Sequence, residues 1–149
     1  MIAVIQRVSN ASVSVDKELV SSIGKGFLVL AGLEKDDTAD DAGYITKKIT
    51  ELRIFEDGDG RMNLSIIDTK NELLVVSQFT LAGNVQKGRR PGFDNAMEPQ
   101  KAEMMFNSFI KEIAALIPDV KTGRFGAKME ISLINDGPVT FIVDSKKRI

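Results

Sequence analysis

The stretch that most constrains the fold is Gly26–Leu33, which reads Gly-Phe-Leu-Val-Leu-Ala-Gly-Leu. It is apolar at odd and even positions alike. Successive side chains of a strand face opposite sides of a sheet, so both sides of this one must be covered. Such a segment reads as a central strand, and a central strand needs neighbours. Met1–Val8 alternates loosely, and Ala11–Asp16 alternates apolar with small polar residues, as a half-buried strand does. Leu19–Ile23 can pair with it across Asp16-Lys17-Glu18. Asn63–Ile67 reads as a short strand, and Glu72–Leu81 as a strong one, rich in β-branched and aromatic residues. Met129–Ile134 and Val139–Val143 read as two closing strands.

Two helices interrupt this series. Thr38 followed by Asp41 resembles a capping box with Asp in place of Glu, and Ala42, Ile45, Ile49 and Leu52 then recur at helical spacing. Pro99 suits the first turn of a second helix, whose apolar face is Ala102, Met105, Phe106, Phe109, Ile113 and Leu116. Met104, Met105 and Phe106 are read as core. Five large side chains on that face are worth ~7–15 kcal/mol gross if buried, so the helix should pack on the sheet. Pro118 ends it. Glu56-Asp-Gly-Asp-Gly60 hints at a calcium loop. A frame starting at Asp57 puts Met62 where the sharp-turn glycine belongs, so a solvated acidic turn is the better reading. Strands in runs with two helices, rather than strict alternation, predict an α+β architecture: one domain over 1–149, a largely antiparallel, barrel-like sheet with two main helices packed on it.

Composition limits the chemistry by what is missing. The 149 residues contain no Cys and no His. A thiol nucleophile, a Ser-His-Asp device and imidazole or thiolate metal sites are therefore excluded, and no metal or cofactor is expected. Carboxylates, lysines, hydroxyls, backbone amides or the substrate itself must do the work. The net charge of −1 argues against a general nucleic-acid binder, and no DNA partner is expected. It leaves room for a small site that takes one RNA end. No apolar run approaches the ~20 residues of a membrane span. The start, Met1-Ile-Ala-Val-Ile-Gln-Arg7, lacks the features of a signal peptide, which predicts a cytoplasmic protein.

Two segments carry unexplained polarity. In Ser77-Gln78-Phe79-Thr80-Leu81, strand periodicity puts Ser77, Phe79 and Leu81 on one face and Gln78 and Thr80 on the other. Three polar side chains in four positions need partners, unless the strand is simply leaving the core. Asn135-Asp136-Gly137-Pro138-Val139-Thr140 lies between the closing strands. Alone, Asp-Gly there signals a hairpin turn. Pro138 also fixes its own φ and removes a donor, and an X-Pro bond has access to the cis form. A stiff piece of main chain next to a side-chain-free glycine is suited to judging the shape of a ligand. Ala82–Met97 is a long polar loop with Lys87-Gly-Arg-Arg-Pro-Gly92, and loops of that length are usually functional.

Together with Gln6-Arg7-Val8, Lys87-Gly-Arg-Arg-Pro91 and Phe125-Gly-Ala-Lys-Met129, these two segments closely resemble the D-aminoacyl-tRNA deacylases, in order and over the whole chain. Relatives commonly carry Asn and Ser where this loop has Arg89 and Gly92. The resemblance implies a homodimer that hydrolyses the ester between a D-amino acid, or glycine, and the 3′-terminal adenosine of tRNA. It implies that Gly137-Pro138 is a cis dipeptide inserted into the partner's site, where it leaves no room for an L side chain. It also implies that Ser77, Gln78, Phe79 and Thr80 hold the scissile ester, that Phe125 and Met129 flank the ligand, and that Arg7 braces the Gly-Pro loop. Lys87, Arg89 and Arg90 form the candidate tRNA patch, to which Lys146, Lys147 and Arg148 would add if the tail is not merely solvated. A hydroxyl nucleophile needs an adjacent base. None is placed beside Thr80, which is therefore expected to orient the ester and help build an oxyanion hole. The rival readings are a non-catalytic nucleic-acid-binding module and a plain dimerisation domain with a trans Gly-Pro turn.

Overall fold

The computed structural model describes residues 1–86 and 88–149. Its spine is β1 (Ile2–Val15), a single strand where the sequence reads as two. On one edge β1 pairs antiparallel with β3 (Gly26–Gly32) through Ile2–Val8 and with β2 (Glu18–Ile23) through Ala11–Val15. On its other edge it carries β8 (Glu130–Asp144), also antiparallel and along nearly its whole length. β3 then pairs in parallel with β6 (Glu72–Ser77), and β6 in parallel with β7 (Lys121–Thr122). The sheet is therefore mixed, with antiparallel and parallel halves meeting at β3. It curls until its far edges meet: Ser21 Oγ donates to the Thr122 carbonyl at 2.8 Å, and Lys121 Nζ to the Ser22 carbonyl at 2.7 Å. The result is nearly a barrel.

The two-sided apolarity of β3 follows from this shape. Phe27, Val29 and Ala31 enter a core shared with α1 (Ala39–Glu51) and α3 (Pro99–Leu116), while Leu28 enters a second core with Val13, Leu74 and Val76. Both helices begin as the sequence predicts. The Asp41 carboxylate accepts from the Thr38 amide at 2.9 Å, and Pro99 occupies the first turn of α3, capped by Glu98. Ala42, Ile45 and Ile49 are buried against Phe106, Phe109 and Ile113. Leu116 and Met104, expected in the core, are 53% and 71% exposed. The apolar stripe is narrower than its residue count implies: Ala102, Phe106, Phe109 and Ile113 form it, Met104 points away from them around the helix, and Ile117 rather than Leu116 packs on the core at the end. Glu56 ends β4 (Phe55–Glu56), which forms a small hairpin with β5 (Met62–Leu64). The expected strand Asn63–Ile67 gives way at Ser65, which caps the one-turn helix α2 (Ile66–Thr69) through a reciprocal bond with Asp68. Among the described residues no helix is long and apolar enough to cross a membrane.

The C-terminal segment is pinned by charge. Arg148 Nε donates to Asp144 Oδ2 at 2.7 Å, and its Nη1 to Glu34 Oε1 at 3.0 Å. Asp144 and Glu34 are both buried. The Arg148 hydrogen bond holds the Asp144 carboxyl at about 2, against an ordinary 3.8. A carboxylate held below its unfolded value stabilises the fold above pH ~4, and that contribution is lost as pH falls toward 2. Arg148→Ala is therefore expected to lose ~1–2 kcal/mol at pH 7, allowing for the half-exposed guanidinium. Urea titrations at pH 7 and pH 2.5 should show the gap between variant and wild type closing at the lower pH.

Candidate active site

A cavity of about 560 Å³ opens where the parallel strands β3 and β6 end. Ala31 and Leu33 line it from the β3 side, and Ser77 and Gln78 from the end of β6. β6 stops at Ser77, and Gln78 N donates to the Ala31 carbonyl at 2.8 Å. The chain then folds into a 3-10 turn, Phe79–Ala82. This overturns the strand-face assignment of Phe79, Thr80 and Leu81. The cause is the close approach of a distant segment: Gly32 lets the turn settle against β3. A Cβ on Gly32 would stand 2.7 Å from Leu81 Cβ and 3.0 Å from the Gln78 carbonyl oxygen.

The turn has chemical consequences. The first amides of a helical turn have no carbonyl behind them to bond. Among the described residues the Phe79 and Thr80 amides donate to no protein acceptor, whereas Leu81 N returns to the Gln78 carbonyl. The Gln78 side-chain amide donates to Thr80 Oγ1. The Phe79 ring, 59% exposed, leans on Phe93 with centroids 5.0 Å apart. Phe125 lines the opposite wall and is backed by Phe106 at 5.8 Å. Met129 lines it too, in space left by Gly123, where a Cβ would stand 2.5 Å from the sulfur. Phe93, Met97, Glu98 and Ala102 complete the wall from the long loop and the start of α3. Sequence reasoning does not assign these four. Only the length of the loop marks the region.

Arg7, Gly137 and Pro138 are elsewhere. The two closing segments are one strand, β8, and both halves pair with β1 in the same direction. The hairpin-turn reading is thus wrong. The Gly137–Pro138 bond is cis, and both residues are exposed on a loop bulging from the strand. Arg7, 5% exposed, lies beneath. Its Nε donates to the Asp136 carbonyl at 2.9 Å and its Nη1 to the Ile54 carbonyl at 2.8 Å. Ile54 is held in turn because its neighbour Phe55 stacks on Phe27 at 4.6 Å. None of the three residues lines the cavity. Three strand spacings and four residues of register separate Pro138 from Ser77 across the sheet, on the order of 20 Å.

Of the basic candidates, Lys87 lies outside the described residues. Arg89 and Arg90 are exposed, and among the described residues neither is in an ion pair. In the C-terminal trio, Arg148 is engaged as above and Lys146 Nζ lies 3.1 Å from Asp37 Oδ1. The tail is anchored to its own chain rather than merely solvated.

Comparison with known proteins places this architecture. A solved structure named c-Myc DNA Unwinding Element Binding Protein superposes with a TM-score of 0.92 at 42% identity, covering 97% of this chain and 98% of its own. A second, described as a probable eukaryotic D-amino acid tRNA deacylase, gives 0.84 at 17% identity and supports the fold alone. Relatives named as deacylases match this chain over nearly its whole length, which makes it an enzyme of the ester-hydrolase class. Of the residues singled out around the turn, Ser77, Gln78 and Phe79 line the cavity and Thr80 does not. The family model for D-Tyr-tRNA(Tyr) deacylase matches residues 4–144, and the chain belongs to that family. D-aminoacyl-tRNA deacylases of Persephonella marina and Thermoanaerobacter pseudethanolicus are 57% and 55% identical, over 98% and 99% of this chain and 99% of their own lengths.

Arg7 joins β1, the entry to the β4–β5 hairpin and the bulge, through a buried bond to the Ile54 carbonyl and a partly buried one to that of Asp136. Arg7→Ala should cost ~2–4 kcal/mol in urea unfolding. It should also accelerate amide exchange at residues 135–139 by more than the loss of global stability accelerates it in α1.

Proposed function

We propose that this chain hydrolyses the ester between a D-amino acid and the 3′-terminal adenosine of tRNA, acting as a cytoplasmic homodimer in which each copy completes the other's site. The observation that carries the reading is the separation just described. The cavity lacks the Gly137-Pro138 bulge of its own chain, and the bulge stands exposed on an outer strand. β8 also presents Ile134 and Ile142, 58% and 61% exposed, on the edge that has no strand partner among the described residues. A second copy docked there would cover them and bring its bulge to the first cavity.

In this reading the aminoacyl end enters with its carbonyl over the Phe79–Ala82 turn. Water adds to the carbonyl carbon. The carbon–oxygen bond to the ribose breaks, and the ribose oxygen leaves with a proton. The Phe79 and Thr80 amides receive the developing oxyanion, and one such donor is worth ~2.7–4 kcal/mol. The vicinal ribose hydroxyl assists proton transfer, which suits a chain without His. Thr80 Oγ1 is occupied by Gln78 and, among the described residues, bonds to no carboxylate or lysine, so it orients rather than attacks. The partner's Gly-Pro carbonyls take the α-ammonium and exclude an L side chain. A yielding apolar pocket separates ligands by only ~1–3 kcal/mol per methylene, whereas rigid main chain does not give way. Glycine has no side chain to exclude and is cleared too. Arg89 and Arg90, with Lys87, meet the phosphates of the acceptor end. The DNA named for one relative is a poor match to a chain with 20 basic and 21 acidic residues.

The test is ester loss from D- and L-tyrosyl-tRNA. The D form should be cleared and the L form spared, with EDTA without effect. Equal cleavage of both, or binding without turnover, would reject the reading. Thr80→Val should retain activity at about one-tenth of the wild-type kcat, as loss of one hydrogen bond implies. Isolation of an aminoacyl–Thr80 adduct would instead make Thr80 the nucleophile.

A further inference from the structure

The register of β1 and β8 contains an imbalance. Gln6 faces Thr140 and Val8 faces Asn135. Arg7 alone separates the two pairs on β1, whereas Asp136, Gly137, Pro138 and Val139 separate them on β8. Three surplus residues must therefore stand out from the ladder, and the ladder supplies no bonds to shape them.

The shaping bonds come from one side chain. Asn135 Oδ1 accepts from the Val139 amide at 2.7 Å. Its Nδ2 lies 3.0 Å from Thr140 Oγ1 and 3.2 Å from both the Val139 carbonyl and Gln6 Oε1. The side chain thus holds the amide and the carbonyl of one residue four positions on, and ties the neck of the bulge to β1. A carboxamide can do this because it accepts and donates at once; a carboxylate can only accept. Arg7 holds the bulge at its first residue, Asp136. Asn135 holds it at its last.

We propose that Asn135 is a positioning residue for chiral discrimination. By closing the neck of the 136–139 bulge it sets where the Gly137 and Pro138 carbonyls point, without touching substrate. Thr140 and Gln6 are its partners in that task. The inference rests on the function proposed above, since it presumes that the bulge reads the handedness of the amino acid.

The experiment is kcat and KM for D- and L-tyrosyl-tRNA with Asn135→Ala, Asn135→Asp and Thr140→Val, each checked for a wild-type circular dichroism spectrum. Asn135→Ala should lower the D-over-L ratio of kcat/KM at least tenfold, mainly through kcat. Asn135→Asp keeps only the bond from the Val139 amide and should fall in between, and Thr140→Val should lower the ratio about threefold. Loss of D and L cleavage in equal proportion, or an unchanged ratio, would show a merely structural residue and overturn the proposal. If Asn135→Ala does not fold, an unchanged ratio in both other variants overturns it equally. A wild-type protein without discrimination would reject the underlying function instead, so the two failures are distinct.

Discussion

The backbone ladder of β1 is the constraint on which the rest of the molecule depends. Fourteen consecutive residues bond to three strands at once: β3 and β2 share one edge, and β8 takes the other. That arrangement forces β2 to the far side of the sheet, where it meets β7 and nearly closes a barrel. It also leaves β8 as the outer strand. Both candidate functional loci follow from these two consequences. The cavity opens at the parallel end of the curled sheet, and the Gly137-Pro138 bulge stands on the antiparallel edge.

The two loci are stiffened by different means. At the cavity, stiffness comes from close packing at glycines: Gly32 admits the backbone of the Phe79–Ala82 turn, and Gly123 admits the Met129 side chain. At the bulge it comes from polar side chains, Arg7 buried and Asn135 half-buried. Arg7 reaches carbonyls on two elements, and Asn135 closes the neck. Buried polar groups are costly when unpaired, so such networks hold one geometry or fail. That property suits a surface meant to reject a ligand by shape.

Local signals were legible in the sequence. The Thr38–Asp41 cap, Pro99 at the head of α3 and the doubly apolar Gly26–Leu33 each express a short-range rule, and each appears where expected. Ser77, Gln78, Phe79, Phe125 and Met129 were singled out by motif, and the fold brings them to one cavity. What was misread depended on distant partners. Strand periodicity ran on through Phe79–Leu81 because nothing local announces that β3 approaches at Gly32. The Asp-Gly signal at 136–137 read as a hairpin because register against β1 cannot be seen from β8 alone. Leu116 fits a helical stripe yet is exposed, because the core takes Ile113 and Ile117 at that end of α3.

The sequence by itself determined the two long helices with their caps, the doubly apolar central strand, the exclusion of imidazole and thiol chemistry, and the family. These depend on residue identity and spacing along the chain. Only the tertiary structure decided that two apparent closing strands are one, that the Gly-Pro pair stands on its outer edge far from its own chain's cavity, and that the amides of Phe79 and Thr80 find no acceptor among the described residues. Pairing register and the close approach of two backbones are set by hydrogen bonds between segments separated by many tens of residues. No local pattern encodes which segment will be the partner.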